Sequence, residues 1–198
     1  MKKIAFAIML VLVLASTAMA AKTEYGPYVG MLLSGQQLQE TDVSATGLDV
    51  TFDPGFGVTA YAGYHWPIGL RLELEGSYFK SDIDKVKAGG ASAHPDGSVD
   101  MKAIMVNALW EFENSSQWFA YLGLGGGYGW SKGEVYGDHA SDSVPLMQPI
   151  LGVGYHLTEN ISMNLDYKYT FGLDTLDYDG VKGDFDAHRL GLGLRYNF

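Results

Sequence analysis

Apolar and polar residues alternate at every second position in several stretches of this chain. The clearest case is 161–171, where six apolar or aromatic residues, Ile161, Met163, Leu165, Tyr167, Tyr169 and Phe171, are separated by Ser162, Asn164, Asp166, Lys168 and Thr170. Successive side chains on a β-strand point to opposite faces, so this pattern predicts a strand with one apolar and one polar face. An amphipathic helix would instead repeat its apolar residues three and four positions apart.

The C-terminal stretch 188–198 alternates in the same way. One face holds Leu190, Leu192, Leu194, Tyr196 and Phe198, and the other holds Arg189, Gly191, Gly193, Arg195 and Asn197. In a soluble sheet the apolar face would pack on a protein core, whereas in an outer-membrane barrel it would face lipid and the polar face would line the lumen. The unbroken alternation up to a terminal aromatic residue favours the barrel.

About eight stretches have this character. They are 25–34, 56–66, 70–81, 99–112, 118–130, 146–157, 161–171 and 188–198. Each is close to the roughly 9–11 residues that a tilted strand needs to cross a bilayer. The stretch 25–34 is the weakest prediction, because its alternation is blurred and Pro27 lacks a backbone donor.

The connections between these stretches alternate in length. Long polar segments, 35–53, 82–98, 131–145 and 172–186, alternate with short segments, 67–69, 113–117 and 158–160. Bacterial barrels combine long extracellular loops with short periplasmic turns, and an even number of strands returns both termini to the periplasm. The sequence therefore predicts an all-β fold: a closed, antiparallel, up-and-down transmembrane β-barrel of about eight strands.

Aromatic residues collect near the ends of the predicted strands, where the two membrane interfaces would lie. The periplasmic ends hold Trp66, Trp110, Phe112, Trp118, Tyr155, Tyr196 and Phe198, and the opposite ends hold Phe56, Tyr128, Trp130, Tyr169 and Phe171. We expect these residues to form two interfacial girdles.

The N-terminus predicts a cleaved secretory signal peptide over residues 1–20. Lys2 and Lys3 form a basic region, residues 4–14 form a short apolar region, and Ala18-Met19-Ala20 matches a small-residue cleavage site. We expect cleavage after Ala20, which leaves a single barrel domain over residues 21–198. Without Lys2 and Lys3 the chain has 11 basic side chains against 23 acidic ones, a formal net charge of −12. Such a charge repels nucleic acid and disfavours an anionic ligand.

With this signal peptide, the alternating strands and the terminal Tyr196-Asn197-Phe198, the chain resembles the small eight-stranded outer-membrane β-barrel family. That family includes opacity-like surface antigens and the membrane domain of major outer-membrane proteins. The resemblance implies residence in the outer membrane of a Gram-negative bacterium, contact with outer-membrane lipid and lipopolysaccharide, and delivery by periplasmic chaperones to the barrel-assembly machinery. It also implies that the apolar face Leu190, Leu192, Leu194, Tyr196 and Phe198 is the assembly signal. We expect a monomer that needs no cofactor and has no peptidoglycan-binding domain after Phe198.

Charged residues occupy the predicted inward positions of several strands. They are Arg71, Glu73, Glu75, Glu111, Asp166, Lys168, Arg189 and Arg195. An eight-stranded barrel is just wide enough to be filled by side chains, and buried charges need partners. We therefore expect a structural network of salt bridges in the lumen, with a path for protons or ions as the alternative.

Two polar segments contain residue types that suggest chemistry. His139-Ala140-Ser141, between Asp138 and Asp142, resembles the His-x-Ser spacing of outer-membrane lipid A deacylases, in which serine is the nucleophile and histidine the base. We expect an ordinary loop here and no catalytic residue. The last long segment contains five aspartates, Asp174, Asp177, Asp179, Asp184 and Asp186, which suggest weak binding of divalent cations, but the pattern of a calcium loop is incomplete and we expect no metal site.

Three functions fit this sequence. The first is a surface protein that acts in envelope structure, adhesion or binding of an extracellular ligand through its acidic loops. A narrow porin-like conduit for small molecules is the first alternative, and a lipid A-modifying hydrolase is the second. We expect the first function, which involves no enzymatic activity.

Overall fold

The computed structural model describes residues 25–38, 41–43, 48–88, 91–93, 97–112, 116–135, 138–174, 176–178, 181–183 and 185–198. The predicted signal peptide lies outside these residues, so its cleavage stays a prediction. Within the described ranges, no helix is long and apolar enough to cross a membrane.

Eight long strands form the wall of the molecule. They are β1 (Gly26–Leu38), β4 (Gly55–His65), β5 (Leu70–Ala88), β7 (Gly97–Phe112), β8 (Trp118–Val135), β9 (Asp138–His156), β10 (Ile161–Gly172) and β13 (Asp186–Asn197). Five short strands lie in the segments between them. They are β2 (Thr41–Val43), β3 (Leu48–Phe52), β6 (Ala91–Ala93), β11 (Leu176–Tyr178) and β12 (Val181–Gly183).

The wall is closed. Each wall strand pairs antiparallel with its neighbours in chain order, and the first pairs with the last, from Tyr28 opposite Asn197 to Leu38 opposite Ala187. Closure lets neighbouring strands satisfy each other's backbone groups, which hydrocarbon cannot do. The predicted closed up-and-down barrel of eight antiparallel strands is therefore confirmed.

The two faces of the wall have the polarity expected of a membrane barrel. On β13, the outward Leu190 and Leu192 are 57% and 55% exposed, whereas the inward Arg189 and Arg195 are each 3% exposed. Exposed apolar side chains and buried guanidinium groups are the reverse of a soluble protein's arrangement. The pattern fits a wall whose outer face is solvated by hydrocarbon.

The aromatic residues at the strand ends lie mainly on this outer face. Those that are more than two fifths exposed are Phe56, Trp110, Phe112, Trp118, Tyr128, Trp130, Tyr196 and Phe198. They are at the two ends of the apolar band, the level at which aromatic girdles meet a bilayer interface.

Glycine is needed in one periplasmic turn. The first short connection lies between His65 and Leu70, and in it Gly69 has a φ of 83° while its N–H donates to the carbonyl oxygen of Trp66 at 3.0 Å. This left-handed conformation is strained for residues with a Cβ. All three short connections are at the predicted positions: 66–69, 113–117 and 157–160.

The predicted long loops are partly wrong, because strands continue into them. β8 runs to Val135 and β9 begins at Asp138, so most of the predicted loop 131–145 is a paired hairpin. Beyond the bilayer the outer face of a strand does not contact lipid and need not be apolar. The alternation of hydropathy therefore fades, although backbone pairing continues. The same holds at the other predicted loops, where β1 reaches Leu38, β5 reaches Ala88, and β11 pairs with β12.

Candidate functional site

A first group of charges lies in the periplasmic half of the lumen. We call Arg71, Glu73, Glu111 and Arg195 the lower ion cluster. Glu111 Oε2 accepts from Arg71 Nη1 and from Arg195 Nη1, both at 2.8 Å, and Arg71 Nη2 pairs with Glu73. Because β5, β7 and β13 supply these residues, the ion pairs tie separate parts of the wall together. Two cations face two carboxylates, so the cluster is electrically neutral.

Tyr28 links two members of this cluster. Its hydroxyl donates to Glu73 Oε1 at 2.9 Å and accepts from Arg71 Nε at 3.1 Å. The ring of Tyr28 also lies beneath the guanidinium groups of Arg71 and Arg195, with centroid distances of 5.1 and 5.5 Å. The sequence did not predict this role, since Tyr28 belongs to the strand whose alternation is least clear.

A second group of charges lies further toward the extracellular side. We call Glu75, Asp166, Lys168 and Arg189 the upper ion cluster. Lys168 Nζ is 2.6 Å from Glu75 Oε2, and Arg189 Nη1 is 3.9 Å from Glu75 Oε1. Lys168 Nζ is also 3.9 Å from Asp166 Oδ2. This cluster again balances two cations against two carboxylates.

Neutral polar side chains complete the coordination of Glu75. Ser77 Oγ donates to its Oε1 at 2.7 Å, and Asn107 Nδ2 donates to its Oε2 at 2.8 Å. Gln148 Nε2 donates to Asn107 Oδ1 at 2.8 Å, while Gln148 Oε1 accepts from Arg189 Nη2. A buried carboxylate with this many donors is held in one position. All eight charged residues predicted for the lumen are thus buried and lie in two adjoining clusters.

Aromatic rings fill the space beside the two clusters, and each lies over a glycine. Five pairs stand directly opposite each other on neighbouring strands: Tyr28 and Gly63, Tyr61 and Gly30, Phe79 and Gly57, Phe119 and Gly154, and Tyr121 and Gly152. A Cβ at any of these glycines would collide with the facing ring. The narrow lumen accommodates large side chains because glycine leaves room for each of them.

An apolar layer lies in the lumen on the extracellular side of the ion clusters. We call it the apolar cap, and its buried members are Leu38, Phe79, Met101, Ala103, Met105, Val144, Leu146, Phe185 and Ala187. Phe79 lies four residues beyond Glu75 on β5, and its ring is 4.3 Å from the Arg189 guanidinium. The sequence predicted a polar interior, and this apolar layer was not predicted. The alternation of faces along each strand could have indicated this layer, because Phe79 and Met101 occupy inward-facing positions like those of the charged residues.

The histidine and serine of the deacylase-like motif are not in a loop, so that expectation is wrong. Both lie in β9, where His139 is opposite Glu134 and Ser141 is opposite Lys132. Their side chains are outside the described structure, and the hydrolase alternative therefore depends on residues whose contacts are not described.

The aspartates of the last segment are only partly described. Asp179 and Asp184 lie outside the described residues, and Asp186 accepts a hydrogen bond from the Tyr169 hydroxyl at 3.0 Å. Within the described ranges, no group of three or more His, Cys, Asp or Glu residues could hold a metal ion. Divalent-cation binding by this segment stays a hypothesis.

The residues of the predicted assembly signal lie on the outer face of β13 and, for Phe198, directly after its end. Leu190, Leu192, Leu194, Tyr196 and Phe198 are all exposed toward the membrane side. A recognition factor could contact this face before the barrel closes, and its role in assembly stays a prediction.

Comparison with solved structures places the fold among small bacterial outer-membrane barrels. Neisserial surface protein A is 18% identical with a TM-score of 0.66, and the match covers 87% of this chain and 97% of that one. OprG from Pseudomonas aeruginosa is 15% identical with a TM-score of 0.58, covering 91% and 99%. Ail, the attachment invasion locus protein of Yersinia pestis, is 15% identical with a TM-score of 0.56, covering 88% and 100%. These likenesses establish the fold alone.

A family model supplies the identification. A search of curated proteins finds no match. The model of the outer membrane protein beta-barrel domain, however, matches residues 6–198, nearly the whole chain. Together with the closed wall and its apolar outer face, this match places the chain in the outer membrane of a Gram-negative bacterium. The chain belongs to the outer membrane protein beta-barrel family.

Proposed function

We propose that this protein is a non-conducting surface barrel that binds an external partner through its acidic extracellular end. The filled lumen is the observation that carries this proposal. The interior is occupied by the two neutral ion clusters, by aromatic rings that lie over glycines, and by the apolar cap. Eight strands enclose a space that side chains can fill, so an open aqueous path would require this packing to separate. The porin-like alternative is disfavoured for the same reason.

The first prediction is that the purified barrel will not conduct ions steadily. In planar bilayers with concentrated KCl, we expect the current to equal that of the bare membrane, because the lumen charges that the structure describes are paired with one another in the two ion clusters. The Lys168→Met variant serves as the control for contaminating porins. Steady single-channel steps whose size or ion selectivity changes in this variant would establish a conducting lumen and contradict the proposal.

The negative charge of the protein is concentrated at its extracellular end. The segments 37–55, 82–99, 132–143 and 173–186 hold fifteen acidic and four basic residues. This accounts for almost all of the net charge of the mature chain. A field of one sign accelerates encounter with a partner of opposite charge. We infer that the partner presents a basic surface.

Long strands support this end. β5, β8 and β9 have 19, 18 and 19 residues, whereas β4 and β10 have 11 and 12. About 10 residues are enough to cross a bilayer. The longer strands therefore extend beyond it by about 25 Å, measured along the strand. A paired sheet presents side chains more rigidly than an unpaired loop does, which lowers the entropy lost on binding.

The second prediction concerns the sign of the ligand. Ail was crystallised with the polyanionic heparin analogue sucrose octasulfate. From its acidic end we expect the present protein not to bind that molecule, and to bind immobilised polylysine with an affinity that falls as salt concentration rises. Binding should weaken when Asp174, Asp177, Asp179, Asp184 and Asp186 are changed together to asparagine. Equal polylysine binding by this variant and the wild type, or binding of the polysulfate, would contradict the proposal.

The closed wall leaves no free strand edge between its first and last strands, which supports the expectation of a monomer.

The hydrolase alternative is tested separately. If His139 and Ser141 form a catalytic pair, the His139→Ala and Ser141→Ala variants should each lose any lipid A processing that the wild type has.

A further inference from the structure

Two buried histidines lie at the periplasmic end of the lumen, and we call them the histidine pair. His65 is the last residue of β4, and His156 is the last residue of β9. Both face inward, with exposed fractions of 0% and 3%. β4 and β9 are four strands apart in the closed wall of eight, so the two imidazoles approach the lower ion cluster from opposite sides.

His65 lies between an aromatic ring and the lower ion cluster. Its ring packs edge-on against the ring of Tyr25, which precedes β1, at a centroid distance of 5.2 Å. On β5 the residue directly opposite His65 is Arg71. The ionisable groups that act electrostatically on His65 are Glu111, Arg195, Arg71 and His156. A proton taken up by His65 would therefore place a third cation beside two guanidinium groups.

His156 contacts the same cluster from the other side of the lumen. Its Nδ1 is 2.9 Å from Ser162 Oγ on β10, and its ring centroid is 4.5 Å from that of Phe119 on β8. The ring of Phe119 also contacts the guanidinium of Arg195, at 5.0 Å from its centroid. The charged groups that act on His156 are Arg195 and Glu111. An imidazolium at this position would therefore face Arg195 across a single aromatic ring.

The charge balance of this layer depends on the histidine pair being neutral. Glu111 already accepts from both Arg71 and Arg195, and Glu73 is paired with Arg71. Two additional protons would change the layer from neutral to a charge of +2 without a further carboxylate among these residues. Buried charge that lacks a partner is strongly unfavourable, so protonation and close packing oppose each other.

We propose that the histidine pair is an acid-sensitive switch that loosens the periplasmic end of the barrel. At neutral pH both imidazoles are uncharged and pack against their aromatic neighbours. Histidine clusters in pH-sensing proteins take up protons at about pH 5–6. The protonated pair repels Arg71 and Arg195, so the periplasmic ends of β4 and β9 open and admit water. The upper ion cluster and the apolar cap contain no histidine, so that part of the lumen stays packed.

The direction of the pH dependence follows from the state of the histidines in the folded and unfolded chain. In the unfolded chain they bind protons near the ordinary histidine pKa of about 6.5. The closed, folded form has them neutral and therefore binds fewer protons below this pH. Stability is thus unaffected by the pair above this pH and decreases as the pH falls below it.

The test measures amide hydrogen exchange of the barrel in lipid vesicles by mass spectrometry. Between about pH 7.5 and pH 5, we expect exchange at the periplasmic ends of β4 and β9 to rise about tenfold, after correction for the pH dependence of chemical exchange. The segment of β10 around Lys168 should show no such rise, because it belongs to the upper ion cluster.

His65→Gln combined with His156→Gln should remove this acid response. The control is His188→Gln, which removes a histidine from the outer face of β13, where it contacts the Tyr167 hydroxyl. This variant should respond to acid as the wild type does. The same acid response in the combined variant would assign the proton uptake to carboxylates, and no response in the wild type would exclude a switch. Either result would overturn the proposal.

A second pair of variants separates charge from packing at constant pH. His156→Lys introduces a permanent cation at this position, whereas His156→Met introduces a neutral side chain of similar length. At about pH 7.5 we expect His156→Lys to show the raised exchange that the wild type shows in acid, and His156→Met to show little change. Retained barrel migration in unheated gels establishes that each variant folds. Equal exchange in the two variants would mean that charge at this position does not open the periplasmic end, and the switch would be wrong.

Discussion

Glu75→Gln is expected to lower the free energy of unfolding by about 3–5 kcal/mol, the range for removing one partner of a buried ion pair. Glu75 is fully buried and is the anion that both Lys168 and Arg189 contact. Glutamine keeps the shape and part of the hydrogen bonding but removes the charge. The upper ion cluster is then left with two cations and the single carboxylate of Asp166 in a space closed to water. The loss of stability arises from buried positive charge that is no longer balanced, and not from a change in side-chain volume.

The measurement is equilibrium urea unfolding in lipid vesicles, followed by tryptophan fluorescence. Glu159→Gln is the control, because Glu159 is exposed in a periplasmic turn and its loss should change stability by less than about 0.5 kcal/mol. The double variant Glu75→Gln with Lys168→Met restores neutrality and should recover part of the loss, with a coupling energy of about 0.5–3 kcal/mol. A double variant as unstable as the sum of the two single ones would refute charge balance as the cause.

Much of the barrel could be predicted because lipid imposes a period of two on each crossing strand. On β13 the outward leucines and inward arginines were assigned from sequence alone, and their exposures agree with the assignment. The inward positions of the charged residues could be predicted from the same alternation. The residues with which they pair could not, since Arg195 and Glu111 are 84 residues apart and only the closed wall brings them to 2.8 Å. Pairing across a lumen depends on the register of all eight strands, which no single stretch encodes.

The extracellular strand extensions and the apolar cap escaped prediction for a shared reason. Both lie where the pattern of apolar outward and polar inward residues ends. At Phe79 and Met101 the inward side chains are apolar, whereas their chain neighbours Lys80 and Lys102 are charged. Between Asp138 and Ser143 on β9 the sequence has polar residues at both odd and even positions. Alternation reports a contrast between two environments, and it disappears when the environments become alike.

Gly63→Ala is expected to destabilise the barrel by about 3 kcal/mol or to prevent folding, although it adds a single methyl group. The new Cβ would lie 2.5 Å from the carbonyl oxygen of Leu72 and 2.6 Å from Cζ of Tyr28. The first atom belongs to the paired backbone, and the second belongs to a ring held by hydrogen bonds to Glu73 and Arg71. Neither atom can move away without disturbing the lower ion cluster. The steric clash therefore also disrupts the ion pairs.

The matched control is Gly126→Ala, which adds the same methyl group on the lipid-facing side of β8. A Cβ there meets no atom within 4 Å, so we expect stability to stay the same or rise by about 0.4–1 kcal/mol through reduced freedom of the unfolded chain. Urea unfolding of both variants in the same vesicles measures the contrast directly. Similar stabilities for Gly63→Ala and Gly126→Ala would mean that Tyr28 and its ion partners can rearrange, and the lumen would then not be packed as tightly as the facing rings and glycines imply.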